Sequence, residues 1–470
     1  MITPRSDSYI KETLVVSGLA SLLLLLLSWP AFKYFFFGEV FGFLQIYDQH
    51  DRHLWQAAFS PIGGIFFRPG FFLSGIWWHY VLPPDPMMYH VRNFIFCCLN
   101  IFLLHRVLLK FVKSRQARAI ALCLFAVSKI HLTIIGRISV FEDAMLLLSV
   151  LLTVLFWFRY IDARRWTDYA LTAALCTFSV YSKDHGLVLV VIMAAMILAV
   201  AVKPGELGSR ARYWTIRFAP FVIIAISNLV VRYILIGPID PNEPAYSPRF
   251  SLSGAAWQAK GFVATVGNLS LTRDATMGAQ GLSNVFAAHS KVVEGALCVS
   301  LWLLILFTLW RARSSWRLLI VPVVWIGVYL SPLFLIRNHN IWNHQEPLVG
   351  VVLLVGICLE RASRPLLATW SVVVALIATN GYISSRRSYY DWQDAANQAE
   401  TIVKSVVQSQ KHQPTKSIIF VTTPETLGYW NLVIGGPMLP QILKSPDTTV
   451  EVVDHDDQIR PDAQVYHLPN

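Results

Sequence analysis

The chain has 470 residues, 55% of them hydrophobic and only 14% charged, and its mean hydropathy is +0.51. A soluble domain is usually about one quarter charged, so the composition excludes an ordinary soluble globular protein and favours one large membrane domain. The formal net charge of +11 is spread over short loops with no long basic run, which excludes a nucleic-acid-binding tail and reads as a topology signal.

A membrane span needs about 20 mostly apolar residues. Eleven segments approach that pattern: 13–32, 88–109, 118–135, 144–158, 169–182, 187–202, 218–236, 292–310, 318–336, 348–359 and 366–383. The first is too long for a signal-peptide core and lacks a small-residue cleavage site, so it reads as an uncleaved first helix. All six cysteines (Cys97, Cys98, Cys123, Cys176, Cys298 and Cys358) fall inside apolar segments. They read as small core hydrophobes rather than as a disulfide framework or a zinc site.

Alternate loops are basic. Lys110, Lys113 and Arg115 follow the second segment, Arg159, Arg164 and Arg165 the fourth, Lys203, Arg210 and Arg212 the sixth, Arg311 and Arg313 the eighth, and Arg361 and Arg364 the tenth. The positive-inside rule places these loops and the N-terminus in the cytoplasm. With eleven spans the C-terminus then lies outside. The other loops mix acids, histidines and isolated cations. They hold Asp48, His50, Asp51 and Arg68 in an outer loop 38–87, then Arg137, Glu142 and Asp143, then Lys183, Asp184 and His185. A long outer loop 237–290 follows, and after it Arg337, His339, His344 and Glu346.

Segment 66–82 is aromatic with little charge and reads as an amphipathic segment lying in the interface. Within 237–290, prolines give way to small apolar residues at 255–266, which suits a short interfacial or re-entrant helix. Asn268-Leu269-Ser270 is a lone glycosylation sequon. Beyond residue 383 the character changes. Residues 391–410 have helical spacing, and 416–422 and 448–454 read as strands. The division expected is a transmembrane domain over 1–383 and a small extracytoplasmic α/β domain over 384–470.

Two carboxylates three apart, Asp48 and Asp51, share a face if their segment is helical. A carboxylate beside a bilayer serves as a general base on a hydroxyl or as a ligand for a hard divalent cation such as Mg or Mn; a solvated loop pair is the plain alternative. Arg68, between Phe67 and Pro69, suits bidentate grip on a lipid phosphate; its alternative is snorkelling to headgroups. Lys183 and Asp184 either pair with each other or neutralise and orient a phosphate. Arg92, Arg232 and Arg337 sit near outer helix ends, where together they suit an anionic ligand. No glycine-rich phosphate loop, nucleophile elbow or His-Glu-x-x-His motif is present, which disfavours an ATP-driven pump or an intramembrane metalloprotease.

The order of these elements resembles the GT-C superfamily of integral-membrane glycosyltransferases, within it the protein O-mannosyltransferase-like branch and its bacterial polyprenyl-phosphate-sugar-dependent relatives. The carriers are the acids after helix one (Asp48, Asp51), Phe67-Arg68-Pro69, His90 and Asn93 at the start of the second segment, Gly136-Arg137, and Ser182-Lys183-Asp184, which is similar to that branch's Ser-Lys-Glu. The chain departs from the pattern in splitting the first-loop acids with Gln49-His50, in having Asp184 for the glutamate, and in having Cys97 where a further histidine stands.

The resemblance implies a mainly α, polytopic membrane protein of about eleven helices, in a bacterial inner membrane, with its site on the periplasmic face. It implies transfer of a sugar, with inversion, from a polyprenyl-phosphate donor to a hydroxyl on a glycan, glycolipid or protein acceptor. Asp48 or Asp51 would be the base. Arg68, Lys183, Arg137 and Arg337 would hold the donor phosphate, with His50, His90, Asn93, Asp184, His339 and Glu346 nearby. An O-antigen ligase or polymerase would instead use the 237–290 loop. A lipid or glycan transporter would show inverted repeats and mid-membrane charges.

Overall fold

The structure, a computed structural model, describes residues 7–34, 54–59, 66–82, 85–201, 207–237, 251–268, 288–311, 316–335, 341–412, 417–421, 449–453 and 463–467. It is a helical bundle followed by a small sheet. Helix α1 (Asp7–Ser28) runs into a 3-10 turn at Trp29–Lys33 opened by Pro30. After the short α2 (Leu54–Phe59), α3 (Pro69–Val81) and α4 (Pro86–Phe111) each begin with proline, whose missing N–H and fixed φ suit a first helical turn. Asp85 caps α4 by accepting from the Met87 amide at 3.0 Å.

Helices α5 (Arg115–Ala126) and α6 (Lys129–Gly136) pass for one span only if joined across a 45° bend. The bend leaves backbone groups without helical partners, and Asn268 satisfies two of them. Its side-chain oxygen accepts from the Lys129 amide at 3.0 Å, and its nitrogen donates to the Val127 carbonyl at 2.7 Å. Asn268 is buried, so the sequon asparagine is a structural clasp. Then come α7 (Phe141–Ala163), α8 (Trp166–Ser182), a 3-10 turn at Asp184–Val188, α9 (Leu189–Met196) and α10 (Leu207–Ile236). Ser251 caps α11 (Leu252–Val266), the short helix expected in the long loop. Helices α12 (Ala288–Arg311), α13 (Trp316–Leu330), α14 (Gln345–Leu359) and α15 (Arg364–His412) complete the bundle.

Among the described residues seven helices are long and apolar enough to cross a membrane, eight if the α5–α6 pair counts as one span; Asp184–Ala199 and Gln345–Leu359 are shorter apolar stretches. The described residues of the eleven apolar segments fall mainly on helix. Their lengths differ because turns at Ser128 and Lys183 and the closing turns of short helices interrupt the apolar runs. Every residue of α14 is buried, the mark of a helix apolar all round and set in the interior. By contrast α10 lies at the periphery, only 11% of its apolar window being enclosed. Its exposed Ile223, Ile226, Leu229, Val230 and Ile234 suit contact with lipid. Helix α3 buries Phe71, Phe72 and Ile76 while exposing Trp77 and Tyr80, as an interfacial helix does.

The charged groups separate to opposite ends of the bundle. At one end Arg118 binds Glu12 and the Val112 and Lys113 carbonyls, Glu360 accepts from the Lys113 and Ser114 amides, and Lys110 pairs with Asp162. The mixed acids and cations lie at the other end. Helix α15 runs to His412, and beyond it lies a three-stranded parallel sheet of order β2-β1-β3, from β1 (Ser417–Val421), β2 (Thr449–Val453) and β3 (Gln464–His467). Ser417 aligns with Thr449, and Ile418 with Gln464. The central strand is a continuous apolar run, Ile418-Ile419-Phe420, buried on both faces. Strands β1 and β2 fall where the sequence predicts them. The third, Gln-Val-Tyr-His, is too short and mixed to stand out.

Candidate functional site

The mixed-charge end is assembled by close backbone approaches. A Cβ on Gly70, one residue into α3 past its opening proline, would lie 2.4 Å from the Ser182 hydroxyl, so glycine lets the start of α3, and with it Arg68, sit against the end of α8. A Cβ on Gly186 would lie 2.0 Å from the Ser179 carbonyl oxygen. Glycine there lets the 184–188 turn fold back onto α8. Tyr181 and Ser227 share a hydrogen bond of 2.9 Å that ties α8 to α10. Between the end of α6 and the start of α7, Asn93 donates to the Ile134 carbonyl at 2.6 Å, and Arg92 donates to the Ile138 carbonyl at 3.1 Å and to the Asn93 side-chain oxygen. His90 lies 2.6 Å from the Ile135 carbonyl and 3.1 Å from that of Tyr34. The α6–α7 turn is thereby fixed, and with it the two acids that open α7.

Those acids are Glu142 and Asp143. The Arg68 guanidinium donates to both Glu142 oxygens, at 3.2 and 3.1 Å, and to Asp184 Oδ2 at 3.3 Å. It also lies 4.1 Å from the centre of the Phe66 ring, a cation–π contact. Arg232, near the end of α10, pairs with the other Asp184 oxygen. Lys183 pairs with Asp143, donates to Asn343 Oδ1 at 3.2 Å, and lies 3.6 Å from Glu142. The side chains of Lys183 and Asp143 are 6% and 0% exposed, so this pair is shielded from water and its attraction is little screened. Burial alone would lower the Lys183 ammonium, but Asp143 and Glu142 outweigh it and hold it above the ordinary lysine value. Burial alone would raise Asp184, but Arg68 and Arg232 outweigh it and keep its carboxyl below the usual range.

Glu346, at the start of α14, is wholly buried. Its backbone carbonyl accepts from Trp325 at 2.8 Å, while neither carboxylate oxygen has a hydrogen-bond partner among the described residues. The second Asp143 oxygen is likewise unpartnered. The cluster therefore offers three cations (Arg68, Lys183, Arg232), four carboxylates (Glu142, Asp143, Asp184, Glu346) and vacant acceptor atoms on two of them. Such a set can hold an anionic group by exchange of ion-pair partners and can accept hydrogen bonds from hydroxyls.

Of the residues singled out from sequence, Arg68, Lys183, Asp184 and Glu346 are brought to this cluster. His90 and Asn93 hold backbone carbonyls that shape it. Arg137, buried at the end of α6, belongs to that same turn. Asp48, His50, Asp51, Arg337 and His339 lie outside the described residues. Glu142 and Asp143 stood among the polar residues of the outer loops without being read as site residues, whereas Arg232 was expected, with Arg92 and Arg337, near an anionic ligand. Their signal was the rarity of ionisable groups at the ends of apolar segments. Among the described residues no three His, Cys, Asp or Glu side chains gather where a metal ion could sit.

No protein-family model matches this sequence, and no curated protein matches it. Solved structures do resemble it. ArnT from Cupriavidus metallidurans bound to undecaprenyl phosphate has a TM-score of 0.53 at 11% identity, the match covering 95% of this chain and 90% of that one. The apo oligosaccharyltransferase of Archaeoglobus fulgidus has a TM-score of 0.50 at 12% identity, covering 95% of this chain and 65% of that one. The chain thus spans slightly under two thirds of that enzyme's length. At such identities the likeness speaks for the fold and not for individual residues. The chain has the fold of the GT-C membrane glycosyltransferases, the superfamily that its ordered motifs resemble.

Proposed function

We propose that the protein is an inverting glycosyltransferase that moves a sugar from a polyprenyl-phosphate donor to a hydroxyl of a glycan, glycolipid or protein. The observation that carries this reading is the cluster of buried Lys183 with half-buried Arg68 and Arg232 at one end of a GT-C-fold bundle. It supplies what a lipid phosphate needs beside a bilayer: guanidinium forks for its oxygens and a lysine point charge.

In the proposed step the acceptor hydroxyl oxygen attacks the anomeric carbon from the face opposite the phosphate. The new glycosidic bond forms as the bond from anomeric carbon to phosphate oxygen breaks. The electron pair leaves with the polyprenyl phosphate, and configuration inverts. The hydroxyl proton passes to a first-loop carboxylate, Asp48 with Asp51 as the alternative. Arg68 and Lys183 exchange part of their contact with Glu142 and Asp143 for the departing phosphate, whose charge grows as the bond breaks. Arg137 and Arg337 are proposed as further phosphate contacts. Glu346, whose carboxylate has acceptor atoms to spare, takes a hydroxyl of the bound sugar, with His50 and His339 at the margin of the site.

The basic loops at the opposite end of the bundle support a site on the extracytoplasmic face, with the N-terminus cytoplasmic. The tail 384–470 then forms a small α/β domain on the site's side. The test is release of polyprenyl phosphate from a panel of polyprenyl-phosphate sugars by purified protein. Release that needs an added glycan or peptide acceptor supports the reading, and no release from any donor sinks it. Running the assay with EDTA, and again with Mg or Mn, sets any metal requirement.

A further inference from the structure

At the other end of the bundle the close of α7 and the first turns of α10 meet over a group of aromatic rings. Arg164, which ends α7, has φ 57° and ψ 26°, and its amide donates to the Tyr160 carbonyl at 2.9 Å. This is the left-handed helix ending at which glycine is the relaxed residue. The position of the side chain accounts for an arginine there. Its guanidinium carbon lies 4.3 Å from the centre of the Trp214 ring and 5.1 Å from that of Tyr213. Arg217 lies 4.5 Å from the same Tyr213 ring, so two cations share one aromatic platform.

The platform holds two buried N–H groups without acceptors among the described residues. Trp214 is 4% exposed, and its indole N–H has no acceptor among the described residues; nor has the Nε–H of Arg217. Neither Arg164 nor Arg217 pairs with a carboxylate among them. Two acids at this end face other cations, Asp162 lying 3.1 Å from Lys110 and Asp168 3.0 Å from Arg159, and neither Asp168 oxygen makes a hydrogen bond among the described residues. The Tyr160 hydroxyl faces Tyr213 and Arg217. Two like charges on a shared ring, with a buried N–H left over, call for an anion. Trp166 and Ile216 beside them are 70% and 63% exposed, an apolar rim that an acyl chain can lie along.

We propose that Arg164, Arg217 and Trp214 form a binding site for a phosphate group, presented by an anionic phospholipid headgroup or as the free anion, at the end of the bundle remote from the Arg68–Lys183 cluster. Purified protein is titrated with dioleoyl phosphatidylglycerol, with dioleoyl phosphatidylcholine, and with inorganic phosphate as competitor, and retained lipid is counted by native mass spectrometry. Phosphatidylglycerol adducts are expected to fall at least fivefold in Arg164→Ala/Arg217→Ala. They should persist in Arg115→Ala/Arg361→Ala, which removes two exposed arginines outside the platform. Trp214→Phe removes only the indole N–H from the ring platform and should also weaken retention, which keeps the test valid if the double variant does not fold. Displacement by millimolar inorganic phosphate identifies the anion itself as sufficient, and failure to displace identifies the lipid. Equal retention by the wild type, the platform variants and the control variant overturns the proposal, as does equal loss in both double variants.

Discussion

Lys183 is held by Asp143, Asn343 and Glu142 in a space closed to water. Removing one partner of such a pair leaves a buried charge uncompensated, which typically costs 3–5 kcal/mol. Lys183→Met is therefore expected to lower the thermal unfolding temperature in detergent, and Lys183→Met/Asp143→Asn to recover much of the loss. Equal stability of the two variants would contradict the pairing. For the chemistry, Asp48→Asn is expected to reduce sugar transfer by about 10²–10⁴-fold, the usual worth of a general base, while the protein still folds. Full activity in both Asp48→Asn and Asp51→Asn would remove the first-loop acids from the mechanism. At this scale Arg68, Lys183 and Asp184 were legible because an ionisable group beside a bilayer stands out. The pairing of Lys183 with Asp143, forty residues earlier, was not, because only the antiparallel packing of α7 on α8 sets it.

At the scale of elements, glycine decides how closely segments approach. The 184–188 turn can lie on α8 only because residue 186 has no side chain. Gly186→Ala is expected to push that turn away, displace Lys183 and Asp184 together, and lower donor binding at least tenfold without changing helical content by circular dichroism. An unchanged affinity would show that the turn does not set the site. Helix type was largely legible, since the described residues of the apolar segments lie mainly on helix. The bend between α5 and α6 was not. It rests on Asn268, more than a hundred residues later, satisfying the backbone groups that the break exposes. His90 and Asn93 show the same limit. Their place in the chain drew attention, but only the folded turn shows that they hold carbonyls.

For the molecule as a whole, separation of basic loops from mixed-charge loops becomes separation between two ends of one bundle. The positive-inside rule then gives a sidedness that can be measured. Gln408→Cys, exposed on α15 near the sheet, is expected to react with a membrane-impermeant maleimide added outside spheroplasts. Arg115→Cys, exposed at the opposite end, should react only after permeabilisation. The native cysteines are buried or half-buried, so background labelling should be low. The reverse pattern would invert the proposed topology. The small sheet was half legible: its apolar central strand and one neighbour stood out, and the short third strand did not. The central claim is that the Arg68–Lys183 cluster grips a polyprenyl phosphate. The most direct measurement compares binding of undecaprenyl phosphate and undecaprenol to the wild-type protein and to Arg68→Met/Lys183→Met. The expected result is selective binding of the phosphate form by the wild type and a loss of at least tenfold in the double variant. Equal binding of both lipids, or unchanged affinity in a folded double variant, would contradict it.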